Sequence, residues 1–211
     1  MQSVHVVVAV KELARAKSRL EIVPDRCRGR LVLAMLTDTL AAACRAAAVT
    51  GATVVTPDAD VAAAASGLAA IVDDPGTGLN AALAHGARRV RELHGEVAVL
   101  ALQADLPALR ADELDAFVAD APANVRSLVV DHHGAGTTAL LAPAGVDLDP
   151  RFGIDSARRH IESGAIALVG NWPGLRVDVD TRGDYHRARE LGVGAATRSV
   201  MGEVHPLLRH C

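Results

Sequence analysis

The run VHVVVAV, from Val4 to Val10, is the stretch of sequence that decides the fold. It is apolar and rich in β-branched residues, as is typical of a parallel strand buried on both faces of a sheet. A basic segment that begins at Lys11 and includes Lys17 follows it directly. Because α/β folds bind ligands where loops leave the carboxyl ends of parallel strands, we interpret these lysines as candidate phosphate ligands. The alternative is the solvent-exposed start of an amphipathic helix.

Helix and strand patterns alternate along the rest of the chain and predict the architecture. Their order indicates an α/β fold, a single three-layer αβα domain with a mostly parallel mixed sheet. An antiparallel part is predicted at 127–131 and 137–142, because two strand patterns follow each other there without a helix between them. A further strand is predicted at 175–179. We assign residues 1–194 to the domain and predict that residues 195–211 form a loose C-terminal tail.

The composition argues against several classes of function. The chain has a formal net charge of −3 and 2% aromatic residues, so it lacks the basic surface and stacking rings of nucleic-acid-binding proteins. We find neither an apolar run long enough to span a membrane nor a signal peptide, and therefore expect a cytoplasmic protein. The cysteines, Cys27, Cys44 and Cys211, are scattered, which fits a reducing compartment better than a disulfide framework or a zinc site.

Three aspartates are candidate ligands for a metal ion. Asp105 follows the apolar strand pattern at 97–102, so its carboxylate should point to the ligand-binding edge of the sheet. Asp178 and Asp180 lie two positions apart on a predicted strand, where they face the same side and repel each other unless a cation lies between them. Either that side faces solvent or a metal ion binds there. Hard carboxylate oxygens suit Mg²⁺, which completes its coordination with water and substrate phosphate. The alternative is that Asp105 or Asp180 caps the helix that follows it.

Two further loops contain glycines and groups that can bind an anion. The segment 73–80 lies between a strand and a helix, although by itself it is better explained as an ordinary turn. It has neither the spacing of a P-loop nor that of a dinucleotide fingerprint, which argues against an NAD-dependent oxidoreductase. The hydroxyls at 137–138 and the segment 151–156 can together form a small oxyanion pocket, with hairpin packing and a helix cap as the alternative.

The adjacent histidines His132 and His133 are not predicted to bind a metal. On a strand, neighbouring side chains face opposite ways and cannot reach one ion. We therefore interpret both histidines as loop residues that are not ligands.

Taken together, these segments resemble the nucleotidyltransferases of the glycosyltransferase-A-type fold, and most closely the CofC/FbiD family of guanylyltransferases. The segments that carry the resemblance are VKELARAKSRL at 10–20, QADLP at 103–107, RFGIDS at 151–156 and DVDT at 178–181. DLP and DVDT are shared by many nucleotidyltransferases, whereas FGIDS is narrower. The resemblance extends from about Val4 to Gly194. It departs from the family pattern at Ala104, where glycine is usual, and after Thr181, where proline is frequent.

The resemblance implies a reaction in coenzyme F420 biosynthesis. GMP would be transferred from GTP to the phosphate of phosphoenolpyruvate, giving enolpyruvyl-diphospho-5'-guanosine and pyrophosphate, with Mg²⁺ as cofactor. By the same resemblance, the catalytic residues are Lys11, Lys17 and Asp105; the acceptor is bound by Thr138, Gly153 and Ser156; the nucleotide is bound by Lys11, Lys17, Arg19, Asp74, Gly78 and Asn80; and the metal is bound by Asp105, Asp178 and Asp180. Arg151 or Arg158 is expected to assist in acceptor binding.

Other partners and functions remain open at the level of sequence. The resemblance implies GTP and a small phosphorylated carboxylic acid as partners, delivery of the product to the next enzyme of the pathway, and compatibility with a homodimer. Of the 22 basic residues 20 are arginine, a bias that suggests a GC-rich genome and looks actinobacterial. Because the archaeal branch of the family it resembles uses 2-phospho-L-lactate, the resemblance then implies phosphoenolpyruvate as the acceptor. The alternatives are a nucleotidyltransferase for another small acceptor and a nucleotide-binding regulator without catalytic activity.

Overall fold

The computed structural model describes residues 3–11, 13 and 25–207. Within this part of the chain, strands and helices alternate as the sequence pattern predicts. The strands are β1 (Val4–Ala9), β2 (Val49–Val55), β3 (Ala70–Val72), β4 (Ala98–Leu102), β5 (Ser127–Val130), β6 (Thr137–Ala142) and β7 (Ile166–Ala167). The helices are α1 (Asp25–Arg45), α2 (Ala59–Ala65), α3 (Leu79–His94), α4 (Ala111–Asp120), α5 (Ser156–Glu162), α6 (Arg182–Leu191) and α7 (Ala195–Leu207).

The strands form one mixed sheet in the order β3-β2-β1-β4-β6-β5-β7. All neighbours are parallel except β6, which runs antiparallel to both β4 and β5. The β5–β6 hairpin is the antiparallel excursion predicted from the missing helix, and the prediction of a mostly parallel mixed sheet is confirmed. Because β1 and β4 are parallel neighbours, the loops that leave them emerge at the same edge of the sheet.

Helices cover both faces of the sheet and make the three layers. On β1, Val4, Val6 and Val8 pack into a core that includes residues of α1 and α4, whereas Val7 packs on the opposite face with residues of α3. These side chains are fully buried. The alternation follows from the period of two in a strand, and burial of both faces explains why the run is apolar throughout. No helix in the described part of the chain is long and apolar enough to cross a membrane.

The strand predicted at 175–179 is absent, and that prediction is wrong. Gly174–Arg176 forms a 3-10 turn, and the chain then makes single hydrogen bonds to two different strand ends instead of joining a ladder. The Arg176 carbonyl accepts from the His132 amide at 2.8 Å, and the Val179 amide donates to the Asp105 carbonyl at 3.1 Å. The segment therefore crosses the edge of the sheet instead of extending it.

The segment from Ala195 to Leu207, predicted to be a loose tail, forms helix α7 and packs on α1. The two carboxylate oxygens of Asp38, on α1, accept the backbone amides of Ala196 and Thr197 at 3.0 and 2.8 Å. These bonds satisfy donors at the helix start, as an N-cap does, but from a residue distant in sequence. Because the cap is a tertiary contact, local sequence does not reveal it. Residues 208–211 lie outside the described part.

Candidate functional site

The predicted metal ligands lie on two segments that meet at the carboxyl edge of the sheet, although within the described residues their three carboxylates do not form a group whose ligand atoms all lie within 4.8 Å of one another. Asp105 follows β4, and its backbone carbonyl accepts a hydrogen bond from the Val179 amide. Asp178 and Asp180 are the residues before and after Val179 in the chain. Val177 and Val179 are buried, whereas Asp178 is half-buried and Asp180 is exposed. Buried and more exposed side chains therefore alternate from 177 to 180 as predicted, although the segment does not form a strand. Asp105 is half-buried, and one carboxylate oxygen of Asp105 and one of Asp178 are buried.

This set of donors consists of carboxylates alone. Carboxylates are the hard oxygen ligands that Mg²⁺ prefers, and an ion shared by these three would have to draw their oxygens closer together than they lie in the structure. Neither proposed capping alternative holds, because α4 is capped by Arg110 and α6 by Thr181. The chemistry of Asp105, Asp178 and Asp180 therefore fits a divalent cation that is shared with phosphate.

The backbone around Asp105 is held by a buried threonine of α1. The Thr39 hydroxyl accepts the Leu106 amide at 3.0 Å and lies 3.3 Å from the Ala104 carbonyl. Its own proton goes to the Met35 carbonyl at 2.8 Å. Thr39 is fully buried, so these bonds are shielded from water and fix the turn on both sides of Asp105.

Asp184 holds the turn that carries Asp180. Its side chain is buried, and Oδ2 accepts the backbone amides of Asp180 and Thr181 at 3.1 and 2.7 Å and the Thr181 hydroxyl at 2.8 Å. Burial alone would raise the pKa of Asp184, but the hydrogen bonds from Thr181, His133 and Asp180 outweigh it and hold the pKa below its usual value. Sequence analysis missed this residue, although the pattern Thr181-x-x-Asp184 is a capping-box signature.

His132 and His133 are loop residues, as predicted, and in the loop their side chains point to one partner. Their Nε2 atoms lie 3.0 and 2.9 Å from the same oxygen, Oδ1 of Asp184, and their rings are 3.8 Å apart between centroids. The turn from 131 to 136 is closed by Asp131, whose carboxylate accepts the amides of Ala135 and Gly136 at 2.9 Å each. Neighbours in a turn are free of the alternation that governs a strand, so both rings reach one partner.

The predicted phosphate-binding loop is only partly described. Lys11 is exposed two residues after the end of β1, and its contact with a phosphate stays a prediction. The Leu13 amide donates to Oδ2 of Asp58 at 2.9 Å, and Oδ1 of Asp58 accepts two amides at the start of α2. The bond from Leu13 lowers the pKa of Asp58. Asp58, which sequence analysis missed as well, thus anchors the chain beyond Lys11 to α2.

Lys17 and Arg19 lie outside the described residues, so their predicted contacts with the nucleotide stay predictions. Asp74 and Gly78 form the turn before α3. Oδ1 of Asp74 accepts the Gly76 amide at 2.8 Å, and Gly78 caps α3 with a φ of 112°, a conformation that favours glycine. This is the ordinary turn that sequence analysis named as the better explanation of the segment.

Asn80 joins that turn to the acceptor-binding segment. Its side chain accepts the Phe152 amide at 2.7 Å and donates to the Phe152 carbonyl at 3.1 Å. The pair of bonds fixes the segment just before Gly153 and Ser156. Asn80 therefore supports the loop, and whether it also touches the nucleotide stays a prediction.

The predicted acceptor residues lie on neighbouring elements. Thr138 is buried on β6, and its carbonyl accepts the Gln103 amide at 2.9 Å, which links it to the segment that leads to Asp105. Gly153 has a φ of 118°, and Ser156 begins α5 with its side chain buried. The Ala157 amide donates to the Ala135 carbonyl at 3.1 Å, so the β5–β6 turn contacts the start of α5.

The guanidinium beside Gly153 belongs to Arg159, whereas Arg151 and Arg158 were the predicted helpers. A Cβ atom at Gly153 would lie 3.0 Å from Nη2 of Arg159, and that nitrogen donates to the Phe152 carbonyl at 2.9 Å. Arg151 instead pairs with Asp149 at 3.1 Å, and Arg158 is exposed beside Glu162 at 2.9 Å. Arg159 is half-buried, and its Nε has no hydrogen-bond partner within the described residues. Among the described residues, Arg159 is therefore the cation best placed to meet an anion at Gly153.

A buried neutral histidine connects the acceptor segments. The Arg151 amide donates to Nε2 of His160 at 2.8 Å, so that nitrogen carries no proton and Nδ1–H donates to the Thr137 hydroxyl at 3.0 Å. Burial, followed by the positive charges of Arg126 and Arg159, lowers the pKa of His160 to about 4, against the opposing effect of Asp149. Protonation of His160 would place a proton on Nε2, so this nitrogen could no longer accept the hydrogen bond from the Arg151 amide.

His160 is expected to make stability depend on pH. Its pKa is about 6.5 in an unfolded chain and about 4 in the fold, so between these values the unfolded chain binds a proton that the folded one does not. The free energy of unfolding should therefore fall by about 3 kcal/mol from this group as pH drops from 6.5 to 4. Urea unfolding of the wild type and His160→Gln across this range measures it. The difference in free energy of unfolding between the two proteins should change by about 3 kcal/mol over this range. A difference that stays constant with pH would contradict the lowered pKa of His160.

Comparisons with known proteins find relatives that match nearly the whole chain. No protein-family model matches the chain. The chain is 52% identical to a phosphoenolpyruvate guanylyltransferase of Nocardia farcinica over 209 residues, which cover 96% of this chain and 92% of the relative. It is also 52% identical to a phosphoenolpyruvate guanylyltransferase of Mycobacterium sp. (strain KMS) over 206 residues, 94% and 92% of the two chains.

Solved structures agree on the fold. A nucleotidyl transferase from Methanothermobacter superposes with a TM-score of 0.62 at 21% identity, over 89% of this chain and 96% of its own. A candidate nucleotide-diphospho-sugar transferase from Desulfovibrio desulfuricans superposes with a TM-score of 0.69 at 15% identity, over 100% and 98%. At these identities the structures support the fold alone, whereas the nearly full-length relatives identify the family. The chain belongs to the phosphoenolpyruvate guanylyltransferase family.

Proposed function

We propose that this protein transfers GMP from GTP to the phosphate of phosphoenolpyruvate and releases pyrophosphate, as a step of coenzyme F420 biosynthesis. The observation that carries the proposal is the hydrogen bond from Val179 to Asp105, which joins two distant aspartate motifs at the ligand-binding edge. The names of the relatives, at about half identity over nearly the whole chain, support the donor and the acceptor. Both substrates are intracellular metabolites, which implies a cytoplasmic enzyme.

The reaction joins two anions, so its main requirement is charge compensation. An oxygen of the acceptor phosphate attacks the α-phosphorus of GTP, a new P–O bond forms, and the bond to the bridging oxygen breaks to release pyrophosphate. Asp105, Asp178 and Asp180 would hold Mg²⁺, which when bound neutralises phosphate charge and orients the two phosphates. The acceptor phosphate is already ionised near neutral pH, so the mechanism needs no general base.

The chain's own groups bind and align the two substrates. Lys11, together with Lys17 and Arg19, would bind the triphosphate and stabilise the departing pyrophosphate. On the other side, Thr138, Gly153 and Ser156 would bind the acceptor. Thr39 and Asp184 keep the aspartate turns in position, since they accept backbone amides on both sides of the expected ligands. The proposal further includes delivery of the activated product to the next enzyme of the pathway, and it is compatible with a homodimer.

A matrix of substrates tests the reaction. Pyrophosphate release is measured with GTP, ATP or CTP, each with phosphoenolpyruvate, 2-phospho-L-lactate or no acceptor, in the presence of Mg²⁺. We expect pyrophosphate release with the combination of GTP and phosphoenolpyruvate and with none of the others. Release with GTP and 2-phospho-L-lactate would retain the guanylyl transfer and change the acceptor. Nucleotide binding without release from any combination would overturn the proposal in favour of a regulator or of another acceptor.

Arg159 is expected to contribute to acceptor binding. Nη2 of its guanidinium lies beside Gly153, where it could donate a charge-assisted hydrogen bond to a carboxylate or phosphate. Arg159→Gln should raise the KM for phosphoenolpyruvate by about 10-fold or more, with a smaller change in the KM for GTP. Arg158→Gln is the matched control, because that neighbour is exposed and pairs with Glu162. Equal effects of the two substitutions would remove Arg159 from the acceptor site.

A further inference from the structure

Three side chains outside the aspartate set converge on one point. Nε2 of His132, Nε2 of His133 and Oδ1 of Asp184 all lie within 4.8 Å of one another. The distances from the two nitrogens to the oxygen are 3.0 and 2.9 Å. The cluster lies where the β5–β6 turn meets the start of α6, and it includes the pair that sequence analysis interpreted as unable to share an ion.

The spacing is close to what a metal ion requires. In a tetrahedral zinc site, with metal–ligand distances of about 2.0–2.2 Å, neighbouring ligand atoms lie about 3.3–3.5 Å apart. Moving the two nitrogens outward from Oδ1 by about 0.4 Å would reach that separation. An ion would then replace the two hydrogen bonds with coordinate bonds to the nitrogen lone pairs. To bind an ion through Nε2, His132 must carry its proton on Nδ1. Within the described residues, Nδ1 of His132 has no hydrogen-bond partner that would prevent this tautomer.

We propose that His132, His133 and Asp184 bind a divalent transition-metal ion of the zinc, nickel or cobalt type. Two imidazole nitrogens and one carboxylate oxygen are ligands that such ions prefer, whereas Mg²⁺ favours oxygen ligands alone. The site is therefore chemically distinct from the carboxylates of Asp105, Asp178 and Asp180. It does not depend on the proposed guanylyl transfer.

The surroundings of the cluster suit a bound ion that stays accessible. The second oxygen of Asp184 accepts three hydrogen bonds from Asp180 and Thr181, so the carboxylate is oriented with Oδ1 toward the histidines. The His133 side chain is 60% exposed, which gives an ion a route from solvent. A cleft of about 200 Å³ lined in part by His132, Arg176 and Arg187 lies alongside. Three protein ligands leave a coordination position for water, as in open zinc sites.

Asp184 links the proposed histidine site to the turn that carries Asp180. The carboxylate that would bind the ion also holds the backbone of Asp180, a proposed Mg²⁺ ligand. Occupation of the histidine site therefore bears directly on the turn that presents the aspartates. Any effect of a transition metal bound here on the reaction rests on the proposed function, whereas the metal site itself does not.

Calorimetric titration with ZnCl₂ in excess Mg²⁺ tests the proposal. The wild type is expected to bind one equivalent that Mg²⁺ does not displace. His133→Ala removes an exposed ligand and should weaken this binding by more than about 10-fold. Loss of a residue that only hydrogen-bonds to a metal ligand already weakens metal binding by about that factor. His186→Ala is the matched control, since this exposed histidine of α6 lies outside the cluster and its loss should leave the affinity unchanged. Equal melting temperatures establish that both variants are folded.

Zinc X-ray absorption of the wild type at one equivalent identifies the ligands. Two imidazoles with oxygen are expected, falling to one imidazole or none in His133→Ala. Sulfur ligation, which would point to a cysteine such as the exposed Cys44, would overturn the site. Identical affinity in the wild type and His133→Ala, or complete displacement by Mg²⁺, would overturn it as well. Neither measurement uses substrate, so a failure here is distinguishable from a failure of the proposed reaction.

Discussion

Replacing Asp105 with asparagine is expected to lower the rate of pyrophosphate release by about 10³-fold or more. The substitution keeps the size of the side chain and removes its negative charge, so the carboxylate set that would hold Mg²⁺ loses a member. The loss should appear in kcat, because charge compensation matters most where two phosphates meet in the transition state. The main-chain bonds of the turn, from Val179 to Asp105 and from Leu106 to Thr39, do not involve the Asp105 side chain. The fold should therefore be retained.

The measurement is steady-state pyrophosphate release, with circular dichroism and melting temperature as checks of folding. Asp112→Asn is the matched control, because Asp112 is an exposed carboxylate at the start of α4 that pairs with Arg110. Asp112→Asn should keep nearly the full rate. A folded Asp105→Asn variant with near-normal turnover would remove Asp105 from the mechanism.

Replacing Gly86 with valine is expected to destabilise the fold by about 4 kcal/mol or more. Gly86 is buried where α3 packs on the sheet, and a Cβ atom there would lie 2.7 Å from Cγ1 of Val7 and 2.7 Å from Cγ2 of Val55. Both valines are fully buried, so neither can move aside. The helix would have to rise from β1 and β2, with loss of packing along the whole contact.

Thermal unfolding measures this effect, and the melting temperature should fall by about 10 °C or more. The matched control is Gly29→Ala in α1, where a Cβ atom would meet nothing within 4 Å. That substitution should raise stability by about 0.5–1 kcal/mol, because alanine is the better helix former. A Gly86→Val protein that melts within about 2 °C of the wild type would show that α3 does not lie this close to the sheet.

Sequence reasoning succeeded where the signal is local. The apolar runs at 4–10 and 97–102 have the composition of buried parallel strands, and both are central strands of the sheet. The position of Asp105 follows from the same logic, because a residue just beyond a parallel strand must emerge at the ligand-binding edge. The motif segments at 103–107, 151–156 and 178–181 carried the family resemblance, which the relatives confirm.

Errors arose where a distant residue decides the local structure. The pattern at 175–179 alternates like a strand, yet its amides and carbonyls bond to two different strand ends, so no ladder forms. The segment beyond Ala195 has a helix whose N-terminal amides are satisfied by Asp38 of α1. His132 and His133 meet Asp184, 52 and 51 residues away. A local pattern contains no information about such partners.

By itself, the sequence determined the class of fold and the family, because these follow from periodicity and from short motifs along the chain. Only the tertiary structure decided how the motifs are held together: Asp184 under Asp180, Thr39 beside Asp105, and His160 as a neutral link between Arg151 and Thr137. The physical reason is that a buried polar group needs a partner, and the partner's identity is set by packing in three dimensions.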